Sequence, residues 1–193
     1  MKVDDSGMPE EAYWNSLFDI EAIVDWLDLS KLNGATVVEI GCGYGTFTVP
    51  VAKKYAGRIC AFDIEPAMIE VARENARKAG LSNVTFSLRD VLEQGTGLEA
   101  DSVDMVLLFN ILHFSEKRVL LEEAARILKE GGIVAIIHWR KDIATPRGPV
   151  LNVRPDRDEI SSAAAGLNLN FHDNGKILEP YHWGMQLVKE PAI

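Results

Sequence analysis

The sequence predicts an α/β fold of the doubly wound kind, a mostly parallel sheet with helices on both faces. Three observations predict it. Short apolar runs alternate with stretches of helical spacing, a βαβα rhythm. The first run ends in a glycine-rich loop, EIGCGYG over residues 39–45, with a helical stretch behind it. The run at 102–109 (SVDMVLLF) is apolar almost throughout, as a strand covered on both faces must be.

The elements follow in order. Residues 35–40 (ATVVEI) form the first expected strand. A helix is expected over 46–56, with Pro50 in its first turn, where a missing N–H is tolerated. Residues 58–63 (RICAFD) are the second strand. The helix at 67–80 carries Met68, Val71, Ala72, Ala76 and Ala79 at helical spacing and stops at Gly80. Strands three, four and five are 84–88, 102–109 and 133–139, with an amphipathic helix over 117–132 ended by the pair Gly131-Gly132. The tail holds a helix at 154–166 and two strands, 167–173 and 182–189, expected to pair as an antiparallel hairpin. Right-handed crossovers distribute the helices over both faces. Residues 1–193 read as a single domain. Within it, 1–33 form an N-terminal helical cap and 140–155 a long Pro- and Arg-containing loop, a candidate cover for a substrate.

Composition narrows the function. Of 193 residues 47% are apolar, enough for a core, and the formal net charge is −9. An acidic chain is poorly suited to phosphate backbones, so nucleic acid is not expected as a partner. No stretch approaches the roughly 18 apolar residues of a membrane span. The N-terminus lacks an apolar signal core, so a cytoplasmic protein is expected. Cys42 and Cys60 read as reduced, buried thiols, and no His/Cys spacing suggests a metal. A monomer and a homodimer both remain open.

The loop Gly41-x-Gly43-x-Gly45 lets backbone approach a ligand and leads into a helix start. Its spacing differs from the dinucleotide fingerprint, because Thr46 stands where the last small residue should be. Glu39 would repel a pyrophosphate and suits a ligand with an ammonium group. Asp63 ends the second strand, 18 residues after Gly45, where a carboxylate can accept from ribose hydroxyls or simply cap a turn. Asp90 follows the third strand and reads as a partner for an adenine amino group or as a helix cap. Asn110 closes the fourth strand, at the sheet edge where open α/β folds bind ligands.

The ordered set EIGCGYG, AFDIEPAMIEVAREN, RD, DMVLLFNILHF and LKEGGIVAIIHW resembles the class I S-adenosylmethionine-dependent methyltransferases, over roughly residues 35–140. Within them it is similar to the group that includes quinone-biosynthesis-type small-molecule methyltransferases. The resemblance implies a Rossmann-like sheet of seven strands in the order 3-2-1-4-5-7-6, the last antiparallel, with S-adenosylmethionine as cofactor. It further implies that Glu39, Gly41, Gly43 and Gly45 surround the methionine moiety. Asp63 would hold the ribose, with Ile64 and Met68 near the adenine. Asp90 and Val91 would face the adenine edge, and Asn110 the methionine end.

Methyl transfer from a sulfonium is an in-line displacement, so the protein's main task is alignment. A base helps where the acceptor must lose a proton. His113, three residues past Asn110, and His138, at the end of the fifth strand, are the candidate bases; either could equally be a packing histidine. Tyr13 and Trp14 in the cap, Arg147 and Arg154 in the long loop, and His182 at the start of the last strand are candidate substrate contacts. The covers are short, which favours a small-molecule acceptor. A non-catalytic cofactor-binding protein is an alternative, since a fold does not establish chemistry. A nucleic-acid methyltransferase is another, although the Asn/Asp-Pro-Pro-aromatic turn of amino-methylating enzymes is replaced here by Asn110-Ile111-Leu112-His113. A nucleotide-dependent oxidoreductase is disfavoured by the glycine spacing and Glu39.

Overall fold

The computed structural model describes residues 7–32, 34–55, 57–172 and 175–191; the parts of expected elements at 1–6, 33, 56 and 173 lie outside them. The apolar runs become β1 (Thr36–Ile40), β2 (Arg58–Asp63), β3 (Val84–Leu88), β4 (Val103–Phe109) and β5 (Leu128–Trp139), all paired in parallel. Three further strands follow, β6 (Leu169–Phe171), β7 (Lys176–Leu178) and β8 (His182–Lys189). The sheet order is β3-β2-β1-β4-β5-β8-β6, with β8 antiparallel to β5. This is the expected order with one strand added.

The added strand is β7, which makes eight strands where seven were expected. Three residues, Lys-Ile-Leu, carry too little alternation to read as a strand. β7 pairs with His182–Gly184 at the start of β8, and β6 pairs with Leu187–Lys189 at its end. Two short strands in tandem thus occupy the edge of β8 that faces away from β5.

The helices are α1 (Glu11–Asn15), α2 (Ile20–Trp26), α3 (Thr48–Lys54), α4 (Pro66–Lys78), α5 (Val91–Gln94), α6 (Lys117–Ile127) and α7 (Arg157–Ala164). Strand alternation sorts them. Val37, Ile59, Met105, Leu107 and Ile137 point to the face covered by α2 and α3, which α4 extends over β2 and β3. Val38, Cys60, Val106, Leu108 and Ile136 point to the face covered by α5, α6 and α7. Both faces of β4 are therefore dry. Each of its fully buried side chains contributes about 1.5–3 kcal/mol relative to exposure. α4 starts on Pro66 and ends with Arg77 and Lys78 in its last turn, complementing the helix dipole, before Gly80 turns at φ +70°.

α6 is shorter than the helix expected at 117–132. Leu128 is already extended and pairs with Val103, and pairing resumes only at Ile133 opposite Met105. The residues between bulge out around Gly131, at φ +76°. A Cβ on Gly132 would stand 2.8 Å from Leu128 Cδ2 and 2.9 Å from the Lys129 carbonyl. The glycine pair therefore shapes the entry to a strand rather than ending a helix. α7 starts at Arg157, later than expected, because Asp156 and Glu159 form a capping box.

Candidate functional site

β1 and β4 are neighbours in the sheet, but the chain runs outward from β1 in one direction and from β4 in the other. A crevice opens at the C-terminal ends of such strands. It holds a cavity of about 550 Å³. Its wall includes Gly41, Gly43, Asp63, Ile64, Met68, Asp90, Val91, Asn110 and His113, from the strand ends and from the turns and helix starts that follow them. Trp14 from α1 and Arg147 from the long loop also line it.

The glycine loop is held by backbone. Gly41 N–H and Cys42 N–H donate to the Phe62 carbonyl at 2.8 and 3.0 Å, and Gly45 N–H donates to the Cys42 carbonyl at 2.8 Å. Gly41 has φ +79°, and a Cβ there would lie 2.7 Å from Ile111 Cγ2. Gly45 has a different surrounding from the one expected. It does not line the cavity, and its Cβ position lies 3.4 Å from Ala72 Cβ of α4, so it permits α3 and α4 to pack closely.

Glu39 is also placed differently from expectation. Its side chain is 1% exposed, behind the loop, and accepts a hydrogen bond from Thr48 Oγ1. Burial, reinforced by the Asp63 charge and opposed by the Thr48 bond, raises its carboxyl to about 8. Asp63 does face the cavity. Its Oδ2 accepts from Gly43 N–H at 2.8 Å and its Oδ1 from Glu65 N–H at 2.9 Å. Burial raises its pKa while those two N–H groups pull it back. The carboxylate fixes the loop and still borders the ligand space.

Asp90 lines the cavity, and its Oδ1 caps α5 by accepting from Leu92 and Glu93 N–H. Arg89 also lines the cavity, but its guanidinium donates to the Gly95 and Gln94 carbonyls and so braces this turn. Ile64, Met68, Val91 and Leu92 supply apolar surface around them.

Asn110 takes a left-handed backbone, φ +60°, with its N–H donating to the Ile137 carbonyl at 2.8 Å. Its amide Oδ1 and Nδ2 are buried and have no partner among the described residues. His113 borders the cavity with Nδ1 buried. Burial lowers its pKa, the Asn110 carbonyl opposes that, and Lys117 adds to it. His138 is fully buried and does not line the cavity, which removes it from contact with a substrate. Its Nδ1 accepts the Trp139 N–H at 2.9 Å.

Of the expected acceptor contacts, Trp14 and Arg147 reach the cavity and three others do not. Tyr13 is 43% exposed on the outer side of α1. Arg154 is 6% exposed and donates to the Pro149, Arg140 and Arg147 carbonyls, a brace inside the loop. His182 is stacked 4.4 Å from Phe18 and lies tilted 4.2 Å from Trp139, on the other face of β8 from Trp183. Burial takes its pKa down to about 3. The walls also include Met8, Phe47, Phe109, Phe114, Trp139 and Pro149, which sequence reading missed. Most are apolar residues at strand ends or turns, where nothing in the pattern separates a cavity wall from core. Among the described residues no group of three or more His, Cys, Asp or Glu could hold a metal ion, and no helix is long and apolar enough to cross a membrane.

A profile of the methyltransferase-domain family matches residues 31–166. The ribosomal protein L11 methyltransferase of Syntrophomonas wolfei is 34% identical over 108 residues, covering 55% of this chain and 34% of that protein. The aklanonic acid methyltransferase DauC of Streptomyces sp. strain C5 is 34% identical over 113 residues, covering 56% of this chain and 50% of that protein. The chain thus spans a third to a half of the length of these curated relatives. A solved SAM-dependent methyltransferase from Aquifex aeolicus superposes with a TM-score of 0.78 at 26% identity, over 90% of both chains.

Proposed function

We propose, for a chain that belongs to the class I S-adenosylmethionine-dependent methyltransferases, that it transfers a methyl group to a small, largely apolar acceptor. The carrying observation is one cavity of about 550 Å³ whose wall carries two unlike sets of residues. One set has the features a nucleoside-amino-acid needs. Gly41 lets backbone approach, Asp63 presents a carboxylate, and Asn110 offers an unpartnered amide donor and acceptor. Ile64, Met68 and Val91 give a flat apolar bed beside Asp90. These residues fit S-adenosylmethionine. When bound, that cofactor supplies a methyl already activated on a sulfonium.

The other set is aromatic. Trp14, Phe47, Phe109, Phe114 and Trp139 come from the cap, the start of α3, the end of β4, the turn after it and the end of β5. Such walls exclude water and orient a planar body. An acceptor of the quinone-biosynthesis type, a ring bearing an ionisable hydroxyl or acidic C–H, suits them. His113 is the proton acceptor in this reading, since its lowered pKa keeps the ring neutral at pH 7. Arg147 is the cation at the cavity wall for an anionic substituent.

DauC carries a small-molecule acceptor in its name, whereas the L11 enzymes act on a protein. The small acceptor is preferred because the cap and the long loop both contribute to the cavity wall through Met8, Trp14, Arg147 and Pro149. Calorimetry with S-adenosylhomocysteine should show binding, weakened at least tenfold in Asp63→Ala. Unchanged affinity would overturn the cofactor assignment. Turnover on a panel of phenols, quinols and carboxylic acids, with none on ribosomal protein L11, supports the acceptor class. The reverse pattern refutes it, and absence of all turnover with intact binding favours a non-catalytic binder.

A further inference from the structure

The long loop carries four cations, Arg140, Lys141, Arg147 and Arg154, and three of them are engaged. Arg140 is paired with Asp142 and Glu179, and Lys141 with Asp156 and Glu159. Arg154 gives its guanidinium to three loop carbonyls. Arg147 differs. Among the described residues its guanidinium donates to the neutral Gly7 carbonyl and pairs with no carboxylate. It is also the one of the four that lines the cavity. The other arginine on that wall, Arg89, is committed to the Gly95 and Gln94 carbonyls.

Arg147 is held from both ends. Its backbone carbonyl accepts from Thr145 Oγ1 at 2.7 Å and from Arg154 Nη2 at 3.3 Å. Its Nη2 reaches Gly7 and fixes the head group. A guanidinium has two edges, each with a parallel pair of N–H groups. Nη2 belongs to both edges, and Gly7 takes one of its two hydrogens. One complete edge therefore remains, with the spacing of two carboxylate oxygens. A fork oriented in advance loses little freedom on binding.

Charge decides which anion suits it. Asp63, Glu65 and Asp90 line the same cavity. The Tyr44 phenol, tied to the Pro9 carbonyl, feels a similar field: burial first, then Glu11, Glu10 and Glu65, raise its pKa, and Arg147 opposes them. One cation among these acids neutralises one negative charge. A dianion such as a phosphate ester would bring its second charge against an acidic wall. A carboxylate brings a single charge and the planar shape of the open edge.

We infer that Arg147 is the specificity-determining residue for the acceptor and selects an aryl carboxylate, anchored on the open edge of its guanidinium with the ring against the aromatic wall. This rests on the aromatic acceptor site proposed above and narrows it from a shape to a required group. The experiment is calorimetry on the full chain saturated with S-adenosylhomocysteine, titrated with benzoate and 2-naphthoate and with the carboxamide and phosphonate of each ring. Wild type should bind the acid about tenfold or more tightly than the amide, the weight of one charge-assisted hydrogen bond. At pH 8, where the phosphonate is mostly a dianion, the acid should also bind more tightly than the phosphonate. Arg147→Met keeps the stem and should bind acid and amide equally. Arg147→Lys keeps the charge without the fork and should show a smaller preference than wild type. Equal binding of acid and amide by wild type overturns the inference, as does tighter binding of the phosphonate or a preference retained in Arg147→Met; each leaves the aromatic acceptor site standing. If Arg147→Met does not fold, the wild-type comparison decides alone. Binding of neither acid nor amide overturns the aromatic acceptor site, and this inference with it.

Discussion

Glu39 and His182 show how single buried groups set the pH response. The unfolded chain releases the Glu39 proton near the ordinary carboxyl value of 4.5, while the folded chain keeps it until about 8. Stability from this group is therefore complete below about 4.5 and is lost as pH rises through 8. Replacing it by Gln, which is always neutral and can still accept from Thr48, removes that loss. Glu39→Gln should unfold at the same temperature as wild type at pH 4. At pH 8.5 it should be more stable, by on the order of 3–5 kcal/mol, with each kcal/mol worth about 2–4 °C at this size. Equal melting curves at pH 8.5 would show that the carboxyl is not held protonated. His182 works from the acid side. Its ring is charged below about 6.5 when unfolded but only below about 3 when folded, so its contribution is present above 6.5 and lost as pH falls toward 3. His182→Phe keeps the ring contacts with Phe18 and Trp139 and should flatten the acid limb of a thermal stability profile between pH 6.5 and 4.

At the level of elements, the loop between β1 and α3 separates two uses of glycine that look alike in sequence. Gly41 meets Ile111 beside the cavity and Gly45 meets Ala72 of α4, both at positive φ. Ala at either position should cost roughly 1–2 kcal/mol of stability from the left-handed backbone alone. Only Gly41→Ala should also weaken S-adenosylhomocysteine, by tenfold or more in calorimetry, because its methyl displaces Ile111 at the cavity wall. Equal affinity losses in Gly41→Ala and Gly45→Ala would mean that both line the ligand. The same contrast marks what could be read in advance. Short apolar runs and the glycine loop announce β1 to β5 and a mostly parallel sheet, since a doubly covered strand has few alternatives to a continuous apolar run, whereas the strand order is carried only by the family resemblance. The end of α6 was misread because Gly131 and Gly132 are helix stops by habit, and only the pairing of Leu128 with Val103 makes them a strand entry. Asp63 and Asn110 were legible as cavity residues because strand ends converge. Arg154 and His182 were not legible as buried, since a cation and an imidazole carry no sign of which carbonyls or rings will enclose them.

Across the whole molecule, the sheet supplies the floor of the cavity and two segments far apart in sequence supply its cover. The cap is tied down to the glycine loop and α4: Tyr44 Oη donates to the Pro9 carbonyl at 2.7 Å, Thr46 Oγ1 to Asn15 Oδ1 at 2.7 Å, and Asn75 Nδ2 to Glu11 Oε1 at 2.7 Å. The long loop is tied to the cap where Arg147 donates to the Gly7 carbonyl. The loop has no helix of its own beyond the turn Leu151–Val153, and its hold is Arg154, whose guanidinium collects three carbonyls and lies 5.8 Å from the Trp139 ring centroid. One side chain thus connects the position of Arg147 and Pro149, over the cavity, to the end of β5. Arg154→Met keeps the bulk against Trp139 and removes all three donors. Hydrogen exchange of the amides at 147–154 should accelerate at least tenfold. The melting temperature should fall by only a few degrees, because the two sheet faces pack without this loop. Affinity for S-adenosylhomocysteine should change little, since Asp63, Asn110 and the glycine loop are untouched, whereas KM for the acceptor should rise. Unchanged exchange across the loop would show that Arg154 does not hold it. A matching loss of cofactor affinity would show that the loop covers both ligands rather than the acceptor alone.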